Sequence, residues 1–153
     1  MNSLLCLLVI CAAGSVLTAP DPETVSAKIT LVEDVDEFVR ANPGVTLTKL
    51  DNVRTARAIH NSLGQRVSGD RLVARNQDSA SWGSLQNVQL TVNYPANGGY
   101  GAVVSYVSIL VDQTSNLGNG YVLYGGIGQR QIGILIEARN TYTFSYIAEI
   151  YGL

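Results

Sequence analysis

His60 is the only histidine in the chain, and a nucleophilic triad would have to be built around it. Ser62, Ser68, Asp51 and Asp70 lie close in sequence and supply the types needed for a hydroxyl nucleophile and an orienting acid. No nucleophile-elbow pattern singles out a serine, so the same residues also read as polar loop positions. A zinc site would have to combine one imidazole with carboxylates, which is not the usual ligand set. Gly125-Gly126-Ile127-Gly128 has the composition of a phosphate cradle. Its spacing is neither the dinucleotide fingerprint nor a Walker loop, and no Lys-Ser or Lys-Thr pair follows, so a bulged hairpin is expected there. Asp112, Glu137 and Glu149 fall at strand ends or outward positions, where solubility accounts for them better than paired-carboxylate hydrolysis. These residues predict no catalytic centre, metal or cofactor, and hence a protein that is not an enzyme.

Eight tyrosines, Tyr94, Tyr100, Tyr106, Tyr121, Tyr124, Tyr142, Tyr146 and Tyr151, all lie in the second half. Tyrosine joins a large contact area to a polar tip and suits interfaces. Sheets also favour it, and these tyrosines fall on mixed faces rather than on one stripe.

The elements that must position these groups are mostly strands. Val88, Leu90, Val92 and Tyr94 alternate with Asn87, Gln89, Thr91 and Asn93, the period of a strand with one buried face. Asn97-Gly98-Gly99 is a turn. Gly101 to Asp112 carries Val103, Val107, Ile109 and Val111 on one face and Val104, Tyr106 and Leu110 on the other, which predicts a central strand. Leu117-Gly118-Asn119-Gly120 reads as another turn before a short strand from Tyr121 to Tyr124. Ile132, Ile134 and Ile136, then Phe144, Tyr146, Ala148 and Ile150, repeat the two-residue period. Earlier in the chain, Ser68-Gly69-Asp70 marks a turn between Arg66-Val67 and Arg71 to Arg75, where Leu72 and Ala74 alternate with Arg71, Val73 and Arg75 as in a hairpin. Val32, Val35, Phe38 and Val39 recur at helical spacing and predict a short amphipathic helix around Leu31 to Ala41, stopped by Asn42-Pro43-Gly44. The fold class expected is all-β, a compact antiparallel β-sandwich or barrel with one short N-terminal helix.

Met1 to Ala19 reads as a secretory signal peptide: a polar start, an apolar run from Leu4 to Ala13, then small and polar residues, with cleavage expected between Gly14 and Ala19. The apolar stretch ends near Leu17, short of the roughly 20 residues that span hydrocarbon, and no transmembrane segment is expected afterwards. Removal would take away Cys6 and Cys11, the only cysteines, leaving no disulfide. Residues 20–60 form an N-terminal segment with the short helix, and residues 61–153 a β-rich domain packed with it as a single domain. Ten basic and twelve acidic residues give a formal charge of −2, too little positive charge for direct nucleic-acid binding.

Gly64-Gln65-Arg66-Val67-Ser68-Gly69-Asp70-Arg71-Leu72, then Gly118 to Tyr121, Gly125-Gly126-Ile127-Gly128 and the final Glu149-Ile150-Tyr151-Gly152, resemble an insect family, that of multiprotein bridging factor two, over about Asn61 to Gly152. Its motif positions fall here on Arg66, Gly69, Asp70, Arg71, Gly125, Gly126, Gly128, Tyr151 and Gly152. The resemblance implies no catalytic residue, metal or cofactor. The family's namesake is described as a transcription activator contacting a general initiation factor, whereas many members are called probable salivary secreted peptides. Physically, Gly69 suits a positive φ, and Asp70 can cap backbone groups or pair with Arg66 or Arg71.

With the signal peptide deciding between these descriptions, the leading expectation is a secreted, extracellular, non-enzymatic protein of insect saliva, venom or body fluid that binds an unidentified protein partner. The first alternative is a transcriptional coactivator bridging to a general initiation factor without direct DNA binding. The second is a small hydrophobic ligand binder whose cavity would be lined by Val88, Leu90, Ile134 and Ile136.

Overall fold

A computed structural model describes residues 25–34, 36–56 and 58–153. The proposed signal peptide, with Cys6 and Cys11, lies outside the described residues. In chain order the elements are β1 (Ser26–Val32), α1 (Glu37–Ala41), β2 (Thr48–Lys49), β3 (Asp51–Arg54), β4 (Ala58–Gly64), β5 (Arg71–Tyr94), β6 (Val104–Gln113), β7 (Gly118–Gly125) and β8 (Ile132–Gly152). The strands form one antiparallel sheet in the order β1-β5-β8-β6-β4-β3, with β7 pairing both β8 and β2. The all-β expectation holds. The sheet is not a closed barrel, since β1 and β3 end its path without pairing to each other.

Two long strands organise everything else. β5 and β8 pair along both their halves: Arg71–Ser81 lies opposite Thr143–Gly152, and Gln86–Tyr94 opposite Ile132–Thr141, with register irregularities between Ser81, Gln86 and Val88. Irregularities of this kind bend and twist a ladder. One half of the sheet is extended by β6, β4 and β3, and the other by β7, β2 and β1. The inner faces of both halves meet in one apolar cluster that includes Leu90, Ile134 and Ile136 from one half and Val107, Ile109 and Phe144 from the other.

The two-residue period placed the core correctly where one face alone is covered. Val88, Leu90, Val92 and Tyr94 are buried, as are Phe144, Tyr146, Ala148 and Ile150. β6 is a central strand, lying between β8 and β4. Along Ile132 to Ala138, however, every residue is buried, and β8 is paired there on both edges, with β5 and β7. Val88, Leu90, Ile134 and Ile136 do not line a chamber: each is at most 1% exposed, and all belong to the packed cluster.

Four local expectations are corrected. The helix around Leu31 to Ala41 shrinks to Glu37–Ala41 and buries no residue, because Ser26–Val32 pairs in register with Asn87–Asn93 of β5 and satisfies its backbone as a strand. The hairpin across Ser68-Gly69-Asp70 does not form, since β4 and β5 are separated by β8 and β6; the turn is present, but it carries the chain from one strand to a distant one. Leu72 and Ala74 do not share a face, because a register shift intervenes and leaves Val73 and Ala74 buried with Leu72 exposed. Gly118 to Gly120 is strand rather than turn. Its glycines serve close approach: a Cβ on Gly120 would come within 2.8 Å of Asn61 Oδ1, Ile136 Cδ1 and Leu50 Cδ1, and one on Gly118 would collide with the Glu137 carbonyl oxygen.

Overpacking and cavity formation should therefore both be measurable. Gly120→Ala is expected to destabilise by about 1–3 kcal/mol through forced displacement of its neighbours, and Leu90→Ala by about 2–5 kcal/mol through the void it leaves. Urea denaturation midpoints check both, and an unchanged midpoint for Gly120→Ala would contradict the close packing of β7 on β4 and β8.

Candidate functional site

The turn between β4 and β5 is built around one carboxylate. Gly69 takes a φ of +87°, a region that a side chain disfavours, and the Asp70 amide closes the turn onto the Val67 carbonyl at 3.2 Å. This brings the Asp70 side chain back over its own turn. Its Oδ1 and Oδ2 accept from Arg66 Nε at 2.9 and 3.0 Å, Oδ2 accepts from the Val67 amide at 3.0 Å, and Arg66 Nη2 lies 2.7 Å from Oδ1. Ser105 Oγ, at the start of β6, donates to Oδ2 at 2.8 Å. With its side chain only 2% exposed, Asp70 is covered by its partners. The Arg66 guanidinium above all, then the Val67 amide and the Ser105 hydroxyl, hold its carboxyl well below the usual carboxylate range, against the opposing effect of desolvation.

Arg66 also lies over Tyr151, its Cζ 3.8 Å from the ring centroid, a cation–π arrangement. Tyr151 in turn packs near Tyr106, with centroids 5.9 Å apart, and its hydroxyl donates to Glu149 Oε2 at 3.1 Å. Burial first, and then the bond to Glu149, push the Tyr151 phenol upward. Arg71 stands in register with Gly152 at the far end of β8. A Cβ on Gly152 would lie 2.7 Å from the Val103 carbonyl oxygen, so glycine is what allows β8 to end against the backbone strap of residues 103–105.

Gly125-Gly126-Ile127-Gly128 forms the reversal between β7 and β8. Gly125, Gly126 and Gly128 all have positive φ, and the Gly126 amide donates to Gln131 at 3.2 Å. The hairpin expected there is observed, with its bulge between Val122 and Tyr124. The reversal also reaches sideways: the Gly128 amide donates to the Val104 carbonyl, and the Val104 amide to the Gln129 carbonyl, both at 2.8 Å. Val103 exchanges two 3.0 Å backbone bonds with Leu153. Residues 103–105 thus tie together the Arg66–Asp70 turn, the glycine-rich reversal and the end of the chain. Between them lies an open groove of about 560 Å³, lined by Gly64, Val67, Val104, Ile127 and Leu153 among others. Val67, Ile127 and Leu153 are all exposed there.

The residues considered for nucleophilic chemistry are not assembled. His60 Nε2 lies 2.8 Å from Ser108 Oγ, a serine that sequence reasoning did not single out. Asp70 is engaged with Arg66, Ser68 is exposed on its turn, and Asp51 stands in register with Ser62 across β3 and β4. Among the described residues no group of three or more His, Cys, Asp or Glu side chains could hold a metal. Glu137 differs from expectation: it is 3% exposed rather than outward. Burial pushes its carboxyl upward, partly offset by Arg139 and reinforced by Asp36 and Asp34, which lie beside α1. The tyrosines divide as the mixed faces suggested, with Tyr94 buried and Tyr100 86% exposed. The residue missed at the site itself is Ser105, whose bond to Asp70 spans the fold and leaves no local signal.

A model of the family described as transcription activator MBF2 matches residues 63–152. The chain belongs to the MBF2 family. That match nearly coincides with the stretch of motif resemblance, and it overturns the leading expectation of a salivary or venom protein, because the family is described as a transcription activator and nothing in the match supports the secreted description. No curated protein matches the chain, and no solved structure does. No helix of the described residues is long and apolar enough to cross a membrane.

Two substitutions distinguish carboxyls shifted in opposite directions. The depressed carboxyl of Asp70 stabilises the fold above about pH 4, its unfolded range, and that contribution is lost as pH falls. Asp70→Asn is expected to lower Tm by several degrees at pH 7 and to flatten the decline below pH 4. The raised carboxyl of Glu137 acts oppositely: its ionisation costs stability as pH rises through its folded value. Glu137→Gln should gain Tm relative to wild type at pH 7 and much less at pH 4. Scanning calorimetry across pH 2 to 8 reads both, and parallel curves for wild type and variant would contradict the assignment.

Proposed function

We propose that the chain acts as a non-catalytic transcriptional coactivator, bridging proteins without contacting DNA itself. The single observation that carries this reading is the match of residues 63–152 to a family described as a transcription activator. The charge supports it, since a formal −2 offers little attraction to phosphates but leaves protein contacts open. The placement of the motifs supports it further. Their turns flank one groove whose apolar side chains Val67, Ile127 and Leu153 stand exposed, the kind of small concave patch in which a partner's anchor residue is desolvated.

A general initiation factor is the partner that the resemblance implies. In a reporter assay the chain is expected to activate transcription, and Ile127→Asp, which puts a charge into the groove while leaving the Asp70 network intact, should abolish most of that activation. Direct binding measured by calorimetry should weaken by about 2 kcal/mol, roughly 30-fold, as for loss of a buried anchor. Full activation by the variant would place the contact elsewhere, and no activation by the wild-type chain would reject the reading.

A further inference from the structure

From Arg71 to Ser81, β5 is paired on one side only, with β8. β1 covers the other side solely from Asn87 to Asn93, and among the described residues no strand pairs along the remainder. The Ser79 amide donates to Oδ1 of the preceding residue, Asp78, at 2.7 Å instead of to a strand. Successive residues of a strand point their backbone groups to alternate sides, so the amides and carbonyls of Arg75 and Gln77 open in the same direction as those of Ser79. Arg75, Gln77, Asp78, Ser79 and Ser81 are all exposed. Such an edge is a template for another strand, and proteins usually blunt it with proline, charged side chains or bulges. Between Arg71 and Ser81 there is no proline or lysine, the charges are Arg71, Arg75 and Asp78, and the one register shift lies between Leu72 and Ala74, which leaves Arg75 to Ser81 regular.

We propose that this edge pairs with the same edge of a second copy of the chain, continuing the sheet antiparallel across a two-fold axis. The charges favour self-pairing. In such a pair the axis is normal to the sheet, so facing residues share a face and their numbers sum to an even value. A register centred on Asn76 sets Arg75 opposite Gln77 and Asp78 opposite Ala74. One centred on Gln77 sets Arg75 opposite Ser79 and Asp78 opposite Asn76. Neither opposes like charges, whereas registers centred on Arg75 or Asp78 would. The Asn76 and Gln77 oxygens already accept from Tyr146 and Arg75, but their amide N–H groups can still donate across the seam, and the Ser79 hydroxyl can donate or accept. Arg75 is moreover balanced by Glu149, 3.5 Å away, and brings no net repulsion to the seam. The pairing lies beyond the bridging reading and does not depend on it.

The test is sedimentation and light scattering of the full chain from low to high micromolar concentration. The expected result is a rise to twice the monomer mass. Gln77→Pro removes an amide on the open side, where an edge strand tolerates proline, and should stay monomeric with an unchanged circular dichroism spectrum. Where that variant misfolds, hydrogen exchange of wild type decides: the Gln77 and Ser79 amides should slow as concentration rises. A wild-type monomer at every concentration overturns the proposal, as does a dimer that survives Gln77→Pro, or one in which those amides exchange at an unaltered rate. None of these readouts involves transcription, so failure here and failure of the coactivator reading are distinguishable.

Discussion

β8 is hydrogen-bonded on both edges along most of its length, and the rest of the molecule depends on that double pairing. Its first half lies between β5 and β7 and its second half between β5 and β6. Backbone polar groups satisfied on both sides permit an unbroken buried run from Ile132 to Ala138, which would otherwise leave amides and carbonyls unpaired away from water. Because β5 follows β8 through both halves, the irregularities near Ser81, Gln86 and Val88 fold one sheet into two facing halves. The apolar cluster fills the space between them.

The candidate site is a product of that arrangement rather than an addition to it. The end of β8 delivers Tyr151 beneath Arg66 and Gly152 against Val103, while the start of β8 delivers the glycine-rich reversal to the other side of Val104. Two motifs some sixty residues apart therefore share one backbone strap. The first has electrostatic content, since Asp70 is ionised and enclosed by donors. The second is set by backbone shape. Together they form a hydrogen-bonded rim around exposed Val67, Ile127 and Leu153, and a rim already ordered by its own bonds lowers the ordering cost of docking a partner.

How much of this the sequence disclosed follows from the range of each interaction. Alternation in Val88 to Tyr94 and Phe144 to Ile150 is a local property and revealed those strands and their buried faces. The turn at Gly69 and the pairing of Asp70 with Arg66 lie within four residues and were legible for the same reason. Ser105, by contrast, meets Asp70 only through the topology, and Ser108 meets His60 only because β4 pairs with β6. The helical spacing held at Phe38 and Val39, inside α1, and misled at Val32, where partnership with β5 outweighs local period. Gly118 and Gly120 look like turn residues until the side chains of distant strands are in place.

The double pairing of β8 also has a temporal meaning. Ribosomes deliver the chain in order, and among these elements β8 emerges last. Until then the first half of β5 lacks its neighbour, and β6 and β7 each lack one of theirs. Contacts as distant as Arg71 with Gly152 must close a long loop before they contribute, which slows assembly of a sheet. Before β8 is made, β1 can pair with β5, β3 and β4 with β6, and β2 with β7, but only as separate ladders that β8 then joins into one sheet.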